Sequence, residues 1–316
     1  MDYFWLLAPL QHFIDQKERV FLLYLATSFL LALLVQWMET RQRKVKLLSR
    51  IIAPEVYTHP SAKVDYLYYI ANTILYAFII GPFQFLGPQI SQQVYTLLQK
   101  LAVAASLQVQ NVSPLTVFFV GLLLTLASDF STFFAHYLAH RIPWLWEFHK
   151  VHHSAEVMTP ITVYRMHPVD DIFTLCVGGV IVGALDACVR FYFAPGISPH
   201  VLYGVNAALF LFYLTGYHLR HSHVWFSYGP LLSRLLISPA QHQIHHSNAR
   251  RHWDKNFGFI FSFWDSLFGS LYVPKEKEEL TFGLGEGRQE DIQYRSVARL
   301  YFLPFKKAAL RLIKRS

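Results

Sequence analysis

The chain has 316 residues, of which 53% are hydrophobic and only 15% charged, with a formal net charge of +8. A soluble globular domain usually carries about a quarter charged residues, so this composition argues against one and points to a bilayer as the solvent. The basic residues do not form a stripe with interleaved aromatics, which argues against nucleic acid as a partner. They collect beside apolar runs, at Arg41 to Arg50 and from Lys306 to Arg315, as cations facing anionic lipid do.

Five apolar stretches are long enough, or nearly so, to cross a hydrocarbon core: residues 21–38, 66–86, 115–135, 172–193 and 201–217. The first is preceded by charged residues and followed by no small-residue cleavage site, so it reads as a retained span rather than a removed signal peptide. Residues 89–112 are rich in glutamine and read as an interfacial helix or an external connection. The last two stretches are separated only by Ala194-Pro-Gly-Ile-Ser-Pro199 and are expected to form a hairpin. Cys176 and Cys188 share one apolar stretch and read as small buried hydrophobes, with no disulfide or thiolate metal site implied. Asp186 and Arg190, spaced i and i+4, are expected to neutralise each other.

Lys and Arg counts orient the spans. Residues 39–65 hold six, 87–114 only Lys100, 139–171 three, and 218–316 fifteen. High and low alternate as the positive-inside rule requires, which puts the segments after residues 38, 138 and 217 in the cytoplasm. The expected fold is an all-α integral membrane protein with four to five transmembrane helices and a cytoplasmic helical cap. Its parts would be N-terminal transmembrane and interfacial helices (1–114), a catalytic region (115–275) and a basic cytoplasmic tail (276–316).

Fourteen of the sixteen histidines lie between His136 and His252. His136 and His140 form HxxxH, while His149, His152 and His153 form HxxHH, as do His242, His245 and His246. Residues i, i+3 and i+4 share a helix face, so each set can turn its rings one way. The predicted topology brings these sets, with His218 and His221, to one membrane face. Eight imidazoles plus His221 make nine, too many for one ion and about right for two with positions left open. His218 and His167 are less certain additions, and His223 reads as a neighbour. His12, His59, His200 and His252 read as ordinary polar residues. Asp129, seven and eleven residues before His136 and His140, is expected to accept a hydrogen bond from a ligand imidazole.

The runs Asp129…His136-Tyr-Leu-Ala-His140-Arg141…Trp146-Glu-Phe-His149-Lys-Val-His152-His153 and Ser238-Pro-Ala-Gln-His242-Gln-Ile-His245-His246 resemble the fatty acid hydroxylase superfamily, also called the sterol desaturase family. So do Arg165-Met-His167-Pro168, Asp254-Lys-Asn256-Phe-Gly258 and Trp264-Asp265-Ser-Leu-Phe268-Gly269, and the resemblance covers about residues 115–275. It implies a membrane oxygenase with two iron ions that uses O2 to hydroxylate or desaturate a lipid, whether sterol-like, fatty acyl or another membrane lipid. The implied ligands are His136, His140, His149, His152, His153, His242, His245 and His246, with His221 the best match to the intervening family histidine. His218 and His167 would complete the set, with Asp129, Asp254 and Asn256 behind the ligands. Phe257 departs from the tyrosine more usual in the Asp-x-Asn-Tyr-Gly pattern. No His-Pro-Gly-Gly heme motif is present, so electrons would come from a separate cytochrome b5-, ferredoxin- or reductase-type donor. Trp144, Trp146 and Tyr164 could line the substrate's way in, as an interfacial aromatic belt would also explain.

Two other readings compete. A membrane zinc hydrolase is disfavoured by the lack of HExxH. A metal transporter or sensor would want ionisable residues along several spans, whereas these histidines gather at one surface.

Overall fold

A bilayer offers backbone groups no partner but each other, so long apolar runs fold as helices. The computed structural model describes residues 7–40, 47–101, 109, 112–193, 201–202, 205–285 and 288–313. The first six residues of the Arg41–Arg50 stretch, the 194–199 break and His200 lie outside them. The principal helices are α1 (Leu22–Thr40), α2 (Pro60–Ile79), α3 (Leu86–Leu101), α4 (Pro114–Arg141), α5 (Pro143–His153), α6 (Pro168–Tyr192), α7 (Ala207–Leu214), α8 (Pro239–His245) and α9 (Val297–Ile313). Among the described residues the one sheet is a two-residue antiparallel pair, Val201–Leu202 with Val205–Asn206.

Helices α1, α4 and α6 are long and apolar enough to cross a membrane, and α2 with residues 81–101 makes a fourth if that pair, bent by 51°, is one span. This is a multi-pass membrane protein, and it turns large apolar side chains outward along the spans, among them Leu30, Phe78, Leu115 and Val180. In lipid such exposure costs nothing.

One expectation about the spans changes. The fifth stretch does not form a spanning helix: α7 has eight residues, about 12 Å at the rise of an α-helix. Asn206, its cap, donates to Thr125 Oγ1 at 2.8 Å, so α7 starts alongside the middle of α4 and leads back to the histidine region. The glutamine-rich segment is helical as far as Leu101, and this helix, α3, packs along α6. A Cβ on Gly183 would lie 2.7 Å from the Gly87 carbonyl oxygen, so the two backbones approach as only glycine permits. Asp186 and Arg190 meet through Ser91, which donates to Asp186 at 2.6 Å and accepts from Arg190 at 3.2 Å.

Proline sets most helix starts. Helices α2, α4, α5, α6 and α8 all begin on proline, whose missing N–H is no loss at that position. The preceding residue is kept extended by the proline ring, and Ile142 (φ −98°, ψ 111°) therefore ends α4 and starts α5 one residue later. That single joint folds the HxxxH turn of α4 against the HxxHH of α5. Behind α5 lies α9, where Phe305 packs edge-on against Phe148 and Arg311 donates to Glu147 at 3.0 Å. Residues 297–313 thus form a wall beside the helix that carries the first HxxHH.

Candidate metal centre

Three further devices position the rings. Helix α8 is buried along its whole length, and its start is a capping box in which Ser238 and Gln241 satisfy each other's backbone groups. Gln243, on its opposite side, donates to the carbonyls of Leu219, Ser222 and Val224 at 2.7, 3.0 and 2.9 Å. Those bonds pin the 3-10 turn Tyr217–His221 beside α8, and Gly216 at φ +91° lets the chain enter that turn.

Nine imidazoles converge in two groups: His136, His140, His149, His153 and His245 in one, and His152, His221, His242 and His246 in the other. Within each group the ligating nitrogens lie within 4.8 Å of one another. Each HxxHH splits. His149 and His153 go to the first group and His152 to the second; His242 and His246 go to the second and His245 to the first. Four residues advance a helix by about 40° past a full turn while three fall short by about 60°, so one stripe straddles two centres. The groups abut, with His153 and His246 stacked at 4.6 Å between centroids.

The residues fit a pair of metal ions on three counts. Nε2 atoms stand 3.2 Å apart for His149–His153, 3.3 Å for His152–His221, 3.0 Å for His221–His242 and 3.1 Å for His242–His246. Two nitrogens about 2.0–2.1 Å from a shared ion, at angles from square to tetrahedral, stand about 2.8–3.4 Å apart. Second, the outer nitrogens of three rings are held by acceptors. His136 Nδ1 donates to the Phe257 carbonyl at 2.9 Å, His245 Nδ1 to the Lys255 carbonyl at 2.8 Å, and His149 Nδ1 to Asp170 Oδ2 at 2.7 Å. A carbonyl only accepts, so Nδ1 carries the proton and the Nε2 lone pair faces inward. Third, the Nε2 atoms of His136, His140 and His245 are buried without a hydrogen-bond partner among the described residues. Burial first, and neighbouring imidazoles second, hold His152, His153 and His246 well below the ordinary imidazole range; for His221 and His242 Arg220 follows burial. These rings are neutral, the form that binds metal.

The two carbonyls come from one loop. Asp254 (φ 57°) and Asn256 (φ 59°) both adopt the left-handed conformation, which Asp and Asn tolerate better than other non-glycine residues. Alternating with them, Lys255 and Phe257 turn their carbonyls to His245 and His136. Asp265 holds the loop by accepting from the N–H groups of Phe257 and Gly258, both at 2.8 Å, and a Cβ on Gly258 would lie 2.9 Å from that carboxylate. The stretch from Asp254 to Gly258 and the Trp264-Asp265 pair are therefore parts of one support.

The expected supporting acids behave differently from their assignment. Asp129 meets no imidazole: it accepts from Ile260 N, Phe261 N and Trp264 Nε1 at 2.8, 3.2 and 2.9 Å, and so acts on His136 through the loop. Asp254 Oδ1 stands 3.9 Å from His140 Nδ1, beyond hydrogen-bond reach, and nearer Arg141. Asn256 joins Gln241 to Tyr272 and touches no ring of the two groups by hydrogen bond. His167 and His218 lie outside both groups: His167 caps α6 and donates to Tyr301 O, and His218 donates to Arg19 O at 2.7 Å. His223 likewise donates to the Arg50 carbonyl. Trp146 lies against His140, 4.8 Å between centroids, and Tyr164 hydrogen-bonds Glu18.

Asp170 was missed by sequence reasoning. Its signal was an acid in the first turn of an apolar helix, directly after the His167-Pro168 pair. Asp170→Asn is expected to lower the first group's metal affinity by about 10–100-fold, the usual effect of losing an acceptor behind a ligand histidine. Chelator competition on detergent-solubilised protein measures it; unchanged affinity would remove Asp170 from the centre.

Comparison with known proteins follows the same residues. Residues 121–270 match the family model described as Fatty acid hydroxylase. The ornithine lipid hydroxylase OlsE of Rhizobium tropici is 29% identical over 157 residues, 50% of this chain and 43% of that protein. The alkylglycerol monooxygenase of Homo sapiens is 30% identical over 162 residues, 50% of this chain and 32% of that protein, and that of Caenorhabditis elegans is 25% identical over 156 residues, 49% and 28%. The match thus spans less than half of each of these relatives. No solved structure matches the chain.

Proposed function

We propose, from the match of residues 121–270 to the fatty acid hydroxylase family model, that this chain is a membrane di-iron oxygenase acting on a lipid C–H bond. It would hydroxylate or desaturate that bond with O2 and electrons from a separate cytochrome b5-, ferredoxin- or reductase-type donor. The observation that carries the reading is the division of nine imidazoles into groups of five and four. His136, His140, His149, His153 and His245 would hold one ion, and His152, His221, His242 and His246 the other. Iron in these positions would supply the one-electron chemistry that lets O2 attack an unactivated carbon. The relatives' names, ornithine lipid and alkylglycerol, favour a membrane lipid with a small polar head group as substrate.

The chain's own residues do the rest. Asp170 and the carbonyls of Lys255 and Phe257 hold three rings in the ligating tautomer. A cavity of about 100 Å³ reaches His136, His149, His152, His221 and His242, bounded on its other walls by Thr132, Val163 and Phe259. The Lys and Arg distribution supports a site facing the cytoplasm.

Purified protein should carry about two irons per chain, as nine ligands imply, and consume O2 only with a lipid substrate and reductant. Turnover supported by zinc without oxygen would replace this reading with a hydrolase.

A further inference from the structure

The cavity at the imidazoles shares walls with two neighbouring cavities. Thr132 and Thr174 also line a groove of about 790 Å³ between α3, α4 and α6, whose walls include Gly179, Val182 and Gly183. Arg19, Val163, Met166 and Asp171 also line a chamber of about 220 Å³ that contains Glu18 and Asn72. The groove is the larger and mainly apolar; the chamber is smaller and carries charges.

The charges in the chamber stand apart from the other interior charges. Arg165 pairs with Asp65, Asp170 with His149, and Asp129 with three N–H groups. Arg220 donates to Phe259 O and lies over three aromatic rings. By contrast, among the described residues the Arg19 guanidinium and the Asp171 carboxylate attract each other without contact and make no hydrogen bond or close ion pair, and both are half-buried side chains lining cavity space. Leaving charges unpaired away from bulk water is costly, and a fold keeps them so where a ligand completes them. Their backbones are fixed. His218 grips the Arg19 carbonyl at 2.7 Å, and Asp171 follows the residue that holds His149. With Glu18, the chamber has two carboxylates to one guanidinium, so it favours a head group that brings a cation as well as an acceptor.

We propose that the Arg19–Asp171 chamber binds the polar end of the substrate and selects a zwitterionic head group. An ammonium would face Asp171 and Glu18, a carboxylate, carbonyl or phosphate oxygen would face Arg19, and the alkyl chain would run past the imidazoles into the groove beside Gly179 and Gly183. The chamber and the imidazole cavity share Arg19, Val163, Met166 and Asp171 as walls, so a polar end held in the chamber would present to the imidazoles a carbon near that end and not the chain terminus. The proposal rests on the lipid-oxygenase reading for the identity of the ligand as a substrate.

The test is equilibrium binding by calorimetry to metal-free protein in detergent micelles, with three probes: Nα-palmitoyl lysine, hexadecylglycerol and palmitate. Wild-type protein should prefer palmitoyl lysine by about tenfold or more, the worth of one hydrogen bond to a charged group. Asp171→Asn should erase most of that preference while leaving hexadecylglycerol unchanged. Arg19→Gln should weaken palmitoyl lysine and palmitate but not hexadecylglycerol, and Arg19→Lys, which keeps the charge, should fall between. Melting curves accompany each variant, and where one melts early the wild-type ranking and Arg19→Lys decide. Equal binding of the three probes by wild type, or equal loss of all three in the variants, overturns the proposal. Binding is read without iron or oxygen, so a failed oxygenase assay leaves it standing, and indifference to head group leaves the oxygenase reading standing.

Discussion

His221→Ala is expected to leave about one metal ion per chain instead of two and to cut turnover by more than about 100-fold, beyond the usual effect of losing an outer hydrogen bond. The reason is the unequal division of ligands. The second group has four imidazoles, and the Nδ1 atoms of His152 and His242 are buried with no hydrogen-bond partner among the described residues. Removing one ring leaves three, two of them lacking an acceptor to fix their tautomer. His140→Ala tests the other group. It leaves four imidazoles, three of them oriented by Asp170 or a carbonyl, so it should retain both ions and lose less activity. Iron per chain and lipid-dependent O2 uptake, measured on both variants, check the ranking. Full metal content in His221→Ala, or a heavier loss in His140→Ala, would contradict the assignment of ligands to groups.

Asp65→Asn is expected to destabilise the protein by about 3–5 kcal/mol, the range for breaking a buried ion pair from one side. Arg165 and Asp65 are shut away from solvent and meet at 2.6 Å. Arg165 also donates to Val151 O, Ser154 Oγ and Tyr294 O, at 3.0, 2.9 and 2.9 Å. One guanidinium thus ties α2, the end of α5 and the C-terminal segment together. Because α5 carries three of the nine imidazoles, loosening it should lower metal content alongside thermal stability. The double replacement Asp65→Leu with Arg165→Met should recover much of the stability, since apolar substitutes for a buried pair are often neutral, yet lose the bonds to α5. Thermal denaturation in detergent distinguishes the two; a single variant as stable as wild type would show that the pair does not hold the site.

Much of the centre was legible in the chain. Spacings of three and four residues are local properties of a helix, so the ring sets at His136, His149 and His242 could be read without tertiary information, and their number indicated two centres. Hydropathy revealed α1, α4 and α6 for the same reason: each is a run long enough to need a bilayer. Length alone misled at residues 201–217, where apolar character served packing against Tyr24 of α1, Val163, Ile237 and Ile260 and not a crossing. Asp129 misled in a subtler way. Its helical phase relative to His136 was correct, but its partners lie about 130 residues away, in a loop that no local pattern connects to it.

The sequence by itself determined the chemistry available: nine clustered imidazoles, an apolar solvent and neither an HExxH nor a His-Pro-Gly-Gly motif. Tertiary structure decided which rings share an ion, because a stripe spanning about 100° can serve one centre or two until a second helix faces it. It also decided the tautomers, which depend on two carbonyls turned inward by left-handed residues at Asp254 and Asn256. And it alone brought Arg19 and Asp171 to one cavity wall, since charges so far apart along the chain meet only where helices and turns pack.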